Sequence, residues 1–84
     1  MNETINTVRK FILENFLFTD DDAALANDDS FLDKGIIDST GMLELIAFIG
    51  DGFHITMEDD DLVPDNLDSV HKVASFIKRK QGNS

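Results

Sequence analysis

Apolar residues recur three and four positions apart over three stretches of the chain, and polar segments without any period separate them. In the first stretch Ile5, Val8 and Ile12 form a stripe that Phe11 and Phe16 widen. This predicts an amphipathic helix from about Asn2 to Asn15, with Arg9 and Lys10 on its wet side. In the second, Met42, Leu45, Ile46 and Ile49 make the buried stripe, flanked by Leu43 and Phe48. That helix should start at Asp38 or Ser39 and stop near Gly50-Asp51-Gly52, because paired glycines weaken a helix. The third helix should begin at Asp68 or Ser69 and turn Val70, Val73, Ala74 and Ile77 inward. Lys78, Arg79 and Lys80 then fall in its last turn, where cations suit the carbonyl end, and Gln81 to Ser84 is a fraying tail.

The segments in between are informative as well. Thr19 to Asp38 contains Asp20-Asp21-Asp22 and Asp28-Asp29, shows no sustained period, and reads as a long loop with one helical turn near Ala23-Ala24-Leu25. Phe31 and Leu32 should pin its end to the core. Long ordered loops in small domains are often functional. After the second helix Phe53 and Ile55 re-enter the core, and Thr56 to Leu62 predicts one short helix capped by Thr56, with Glu58 and Asp59 at its positive end. Pro64 breaks whatever precedes it. No repeat and no alternating strand pattern occurs, so the fold class is all-α: three main helices, one short helix and a long first loop.

Composition narrows the function. The 84 residues suit one domain, with an ordered core over about 2–81; Met1 with the frayed end suggests a free-standing protein, and a monomer is expected. Seventeen acids against seven basic residues give a net charge of −10, which disfavours nucleic acid and anionic lipid as partners and favours proteins bearing basic patches. The absence of cysteine removes disulfides, thiolate metal sites and thiol nucleophiles, and suits a cytoplasmic setting. No segment reads as a signal peptide or a membrane span. The acid clusters fail as calcium loops: counted from Asp20 the sixth position is Leu25 and the twelfth Phe31, and counted from Asp59 the sixth is Pro64. A solvated acidic face is the better reading of Glu58-Asp59-Asp60-Asp61, and no metal site is expected.

The remaining chemistry centres on Gly35-Ile36-Ile37-Asp38-Ser39-Thr40. Asp and Ser are ordinary residues at a helix start, so one reading makes this pair a cap and nothing more. A serine nucleophile would need a resident base, and His54 and His71 lie on distant segments outside any motif. A serine at a helix N-terminus is, however, well placed to carry a phosphate ester added by another enzyme, since the free amides and the dipole favour negative charge.

The run Phe31-Leu32-Asp33-Lys34-Gly35-Ile36-Ile37-Asp38-Ser39-Thr40 resembles the attachment motif of acyl carrier proteins and of the related peptidyl and aminoacyl carriers. The resemblance extends over nearly the whole chain, through the acidic first loop and the Phe53-Ile55 return to Val63-Pro64-Asp65-Asn66-Leu67-Asp68-Ser69-Val70. It implies a four-helix bundle of acyl-carrier type that is not itself an enzyme. Ser39 would receive 4′-phosphopantetheine from a phosphopantetheinyl transferase using coenzyme A and magnesium, and Asp38 would be the acid preceding it. The arm would carry acyl groups as thioesters between acyl-transferring or ligase enzymes. An aminoacyl or peptidyl carrier, or an acidic interaction module without a prosthetic group, are the alternatives.

The second helix departs from the family pattern. Glu44 is its one acid before Asp51, Thr40 replaces the more usual leucine or methionine, and Gly41, Phe48 and Gly50 stand where polar residues are common. Asp33, Thr40, Met42, Glu44 and Asp51 are the candidate partner contacts. Phe48 reads as core, or else as an exposed anchor replacing some electrostatic docking. The acid-poor helix points to a specialised lipid or secondary-metabolite pathway.

Overall fold

The structure, a computed structural model, describes residues 2–82. Those residues are helical or irregular, with no strand among them. Helix α1 spans Asn2–Ile12 and continues as one π-helical turn over Leu13–Leu17. Phe18 ends it in the left-handed region at φ 54°, donating its N–H to the Leu13 carbonyl. The first connection then runs through a 3-10 turn at Asp22–Ala24, where the Asp21 carboxylate accepts the Ala23 N–H at 3.0 Å. Helix α2 is Ser39–Phe53, α3 is the four-residue Pro64–Leu67, and α4 is Val70–Gly82. Ser69 caps α4 by accepting the Lys72 N–H at 3.1 Å.

The predicted stripes meet in one core. Val8 and Ile12 of α1, Leu45 and Ile49 of α2, and Val70, Val73, Ala74 and Ile77 of α4 are fully buried together, with Phe31 among them. Leu25 from the first connection and Phe76 from α4 also belong to it. Along the α1–α2 contact Phe48 stacks on Phe11 with ring centres 4.0 Å apart, and Phe16 and Phe53 close on the pair edge to face. Aromatic pairs add about 0.5–1.5 kcal/mol beyond area burial. Phe48 is therefore a packing residue, and the exposed-anchor alternative for it falls.

Several boundaries differ from expectation, each for a local reason. Arg9 is not on a wet face: it reaches across to the first connection, donating to Asn27 Oδ1 at 2.8 Å and to the Asp22 carbonyl at 2.7 Å. Leu32 does not pin the loop; it is 44% exposed while its neighbour Phe31 takes the core position. Helix α2 runs through both glycines to Phe53, because Phe53 packs on Phe48 and the cap falls on His54, left-handed at φ 55°, with its N–H on Gly50 O. No helix capped by Thr56 forms; the segment makes only a 3-10 turn at Asp59–Asp61 after Glu58. Pro64 begins an element instead of only ending one, since its missing N–H costs nothing at the first helical position. Gln81 and Gly82 remain helical, while Asn83 and Ser84 lie outside the described residues. No helix among the described residues is long and apolar enough to cross a membrane.

Candidate functional site

The chain reaches Ser39 through a tight, well-fastened turn. Gly35 adopts φ 67°, a conformation that disfavours any side chain, and the Ile36 and Ile37 amides both donate to the Phe31 carbonyl, at 2.9 and 3.2 Å. Ile37 is buried, which anchors the turn and leaves Asp38, Ser39 and Thr40 exposed. The helix cap is Asp38, not Ser39: its Oδ1 accepts the Gly41 N–H at 2.7 Å. The Ser39 hydroxyl makes no hydrogen bond among the described residues, and the Ser39 and Thr40 amides open the helix without intrahelical carbonyl partners. Gly41 is buried beneath this turn, where a Cβ would stand 2.8 Å from Cε1 of Phe16 and 3.1 Å from Cγ2 of Ile37.

A second fastening comes from Asp68, which sequence reasoning treated only as a helix start. One of its carboxylate oxygens accepts the Ser30 hydroxyl and the other accepts the Leu32 N–H at 3.0 Å. Its carbonyl accepts the Phe31 N–H at 2.8 Å, and Ser30 Oγ in turn accepts the Asp33 N–H at 3.1 Å. The run entering the Ser39 turn is thus tied to the corner between α3 and α4. Arg9 does the same for the start of the connection, and neither contact has a sequence signature because both join residues far apart in the chain.

Ser39 stands at the rim of a cleft of 230 Å³ lined by apolar side chains, among them Leu32, Met42, Ile46, Leu62, Val63 and Leu67. Ligand pockets for drug-sized molecules run about 300–1,000 Å³, so this cleft suits something slimmer. The exposure of Leu32, Leu62 and Val63 is explained by their place around it. Of the other candidate residues, Met42 is half-buried in the cleft wall, while Thr40, Glu44 and Asp51 share the exposed face of α2 with Ala47 at helical spacing. Leu43, 67% exposed, belongs to that outer surface too. Asp33 is exposed on the turn before Gly35. His54 caps the far end of α2, about 22 Å of helix rise from Ser39. His71 Nδ1 lies 3.4 Å from Asp28, so neither imidazole is positioned as a base for the hydroxyl.

The cleft's outer wall is held by α4. Lys80 Nζ donates to Asp61 Oδ2 at 2.9 Å, Asn66 donates to the Asp61 carbonyl at 3.0 Å, and Arg79 donates to Asn66 Oδ1 at 2.7 Å. The Lys80 hydrogen bond, with that of the Glu58 N–H, holds the Asp61 carboxyl below its ordinary value of 3.8. The same bond from Asp61 raises Lys80 above 10.5. A lowered acid contributes stability above its unfolded value and loses it as pH falls through the folded one; a raised amine contributes below its unfolded value and loses it as pH rises through the folded one. The clasp is therefore complete between about pH 4 and pH 10. Lys80→Met should lower the melting temperature at pH 7, with the deficit shrinking as the pH falls below about 4, read by circular dichroism; a deficit that acid leaves unchanged would show that only packing was lost. Among the described residues no group of three or more His, Cys, Asp or Glu side chains could hold a metal ion.

Comparison with protein-family models and with curated proteins gives no match.

Proposed function

We propose that this chain is a carrier protein, with 4′-phosphopantetheine attached to Ser39 by a phosphopantetheinyl transferase. The observation that carries the reading is an exposed serine hydroxyl, relieved of capping by Asp38, at the start of a rigid helix and at the mouth of an apolar cleft. The first amides of α2 and its dipole favour the charge of a phosphodiester there. When attached, the arm supplies the thiol that this cysteine-free chain lacks, and acyl groups ride on it as thioesters. The Gly35 turn and the Asp68 latch orient the attachment point, and the cleft gives a slim apolar chain a place out of water. The chain itself needs no base at Ser39, in keeping with the remote histidines.

Partners would be acyl-transferring or ligase enzymes with basic patches, attracted by the net charge of −10. The face of α2 bears Leu43 and Ala47 alongside Glu44 and Asp51, so docking mixes apolar and charged contacts and suits a dedicated pathway. The test is intact mass after incubation with coenzyme A, magnesium and a broad-specificity transferase. The wild-type protein should gain a single phosphopantetheinyl group. No gain would favour an acidic interaction module without a prosthetic group.

A further inference from the structure

Phe18 is the most exposed large hydrophobic residue among those described, at 82%, and it sits away from the cleft that accounts for Leu32, Leu62 and Val63. Its backbone is left-handed at φ 54°, a conformation in which a bulky side chain is an outlier and glycine the ordinary choice for ending a helix. The turn before it is π-helical, a form frequent at functional sites. Stability alone would favour a small residue here; the chain instead projects a full aromatic ring into water. Exposed Asp20 and Asp21 follow after Thr19, so the segment that carries the ring is negative.

The location gives the ring an occupant. Phe16 lies against Gly41, with its Cε1 2.8 Å from where a Cβ on that glycine would stand. Phe18 is two residues beyond Phe16 and Ser39 two residues before Gly41, so both stand at the same end of the bundle. An interface of standard size, about 800 Å² per partner and hence roughly 30 Å across, spans the two. A second copy of this chain is a poor occupant: each carries a net charge of −10, and one ring contributes about 200 Å² against the roughly 1,000 Å² that a stable interface needs. A basic enzyme docked over Ser39 with a footprint of that width has Phe18 within its reach.

We infer that Phe18 is an aromatic docking anchor, flanked by Asp20 and Asp21, for the transferase that modifies Ser39, received in an apolar socket bordered by Lys or Arg side chains. This rests on the carrier reading of Ser39. Binding energy concentrates in such rings when a partner desolvates them, while neighbouring acids set encounter rate and salt dependence.

The experiment compares wild type, Phe18→Gly and Asp20→Lys as protein substrates of a broad-specificity phosphopantetheinyl transferase with coenzyme A and magnesium. Phe18→Gly suits the left-handed backbone, so its melting temperature should equal or exceed wild type while its KM rises about tenfold and kcat holds. Asp20→Lys should raise KM at low salt, with the difference fading by about 0.5 M salt. A Phe18→Gly KM within twofold of wild type, with the wild type gaining mass normally, overturns the anchor and leaves the carrier reading standing. No mass gain on the wild type overturns both. A concentration-dependent dimer that Phe18→Gly abolishes would make a second copy the occupant and also overturn the inference.

Discussion

Ser39→Ala should melt at the wild-type temperature and gain no mass with coenzyme A, magnesium and a transferase. Serine at a helix start is ordinarily costly to remove, about 1 kcal/mol when its oxygen accepts a backbone N–H. Here that work belongs to Asp38, whose carboxylate holds the Gly41 amide at 2.7 Å, and the Ser39 hydroxyl makes no hydrogen bond among the described residues. Its loss should therefore change stability by no more than about 0.5 kcal/mol, the usual range for an exposed site without such a feature. The contrasting variant is Asp38→Ala, which should lose about 1 kcal/mol by unfolding in urea. The two substitutions separate holding the helix from carrying the group. A stability loss in Ser39→Ala as large as that in Asp38→Ala would return Ser39 to the status of a cap. A mass gain that survives Ser39→Ala would move the attachment to another hydroxyl, first to Thr40, which is exposed next to it. Ser30 is engaged by Asp68 and Ser69 is a buried cap, so neither competes.

The main helices were legible because their buried faces repeat at helical spacing: Val8 and Ile12, Leu45 and Ile49, Val70 to Ile77 all lie where periodicity puts them. Their ends were less legible. Sequence reading looks for glycine beyond a helix, yet α1 and α2 end on Phe18 and His54 in the left-handed region. In α2 the glycines at 50 and 52 lie within the helix, where Phe53 packing on Phe48 outweighs their low propensity. The start of α2 at Asp38 and Ser39 was visible. Which of the two residues caps could not be read, since either oxygen satisfies the same rule. The cleft was hidden for a different reason. It joins Leu32 from the first connection, Met42 and Ile46 from α2, and Leu62 and Val63 from the segment before α3. Only tertiary contacts such as Asp68 to Ser30 and Leu32, or Lys80 to Asp61, bring those pieces together, and no local pattern encodes a pair 38 or 19 residues apart.

Gly41→Val should destabilise the protein by about 2–4 kcal/mol and slow the loading of Ser39 in whatever fraction stays folded. On propensity alone the change would be favourable, because glycine is the poorest helix residue after proline. Space decides otherwise. A Cβ at this position would stand 2.8 Å from the Phe16 ring and 3.1 Å from the Ile37 methyl, and valine adds two more carbons at that point. Ile37 is fully buried and cannot retreat, and Phe16 is held by its edge contact with Phe11. The same Cβ would lie 3.3 Å from Asp38 Oδ1, the atom that caps the helix, so crowding there disturbs the residue next to Ser39. The companion variant is Phe16→Ala, which costs stability alone but opens the space that the larger side chain needs. In the double variant the two losses should be less than additive by about 1 kcal/mol or more in urea unfolding, with loading partly restored, since contacting residues couple by about 0.5–3 kcal/mol. Strict additivity would mean that the Phe16 ring is not what closes the space above Gly41, and the crowding there would have to lie with Ile37 and the Asp38 cap.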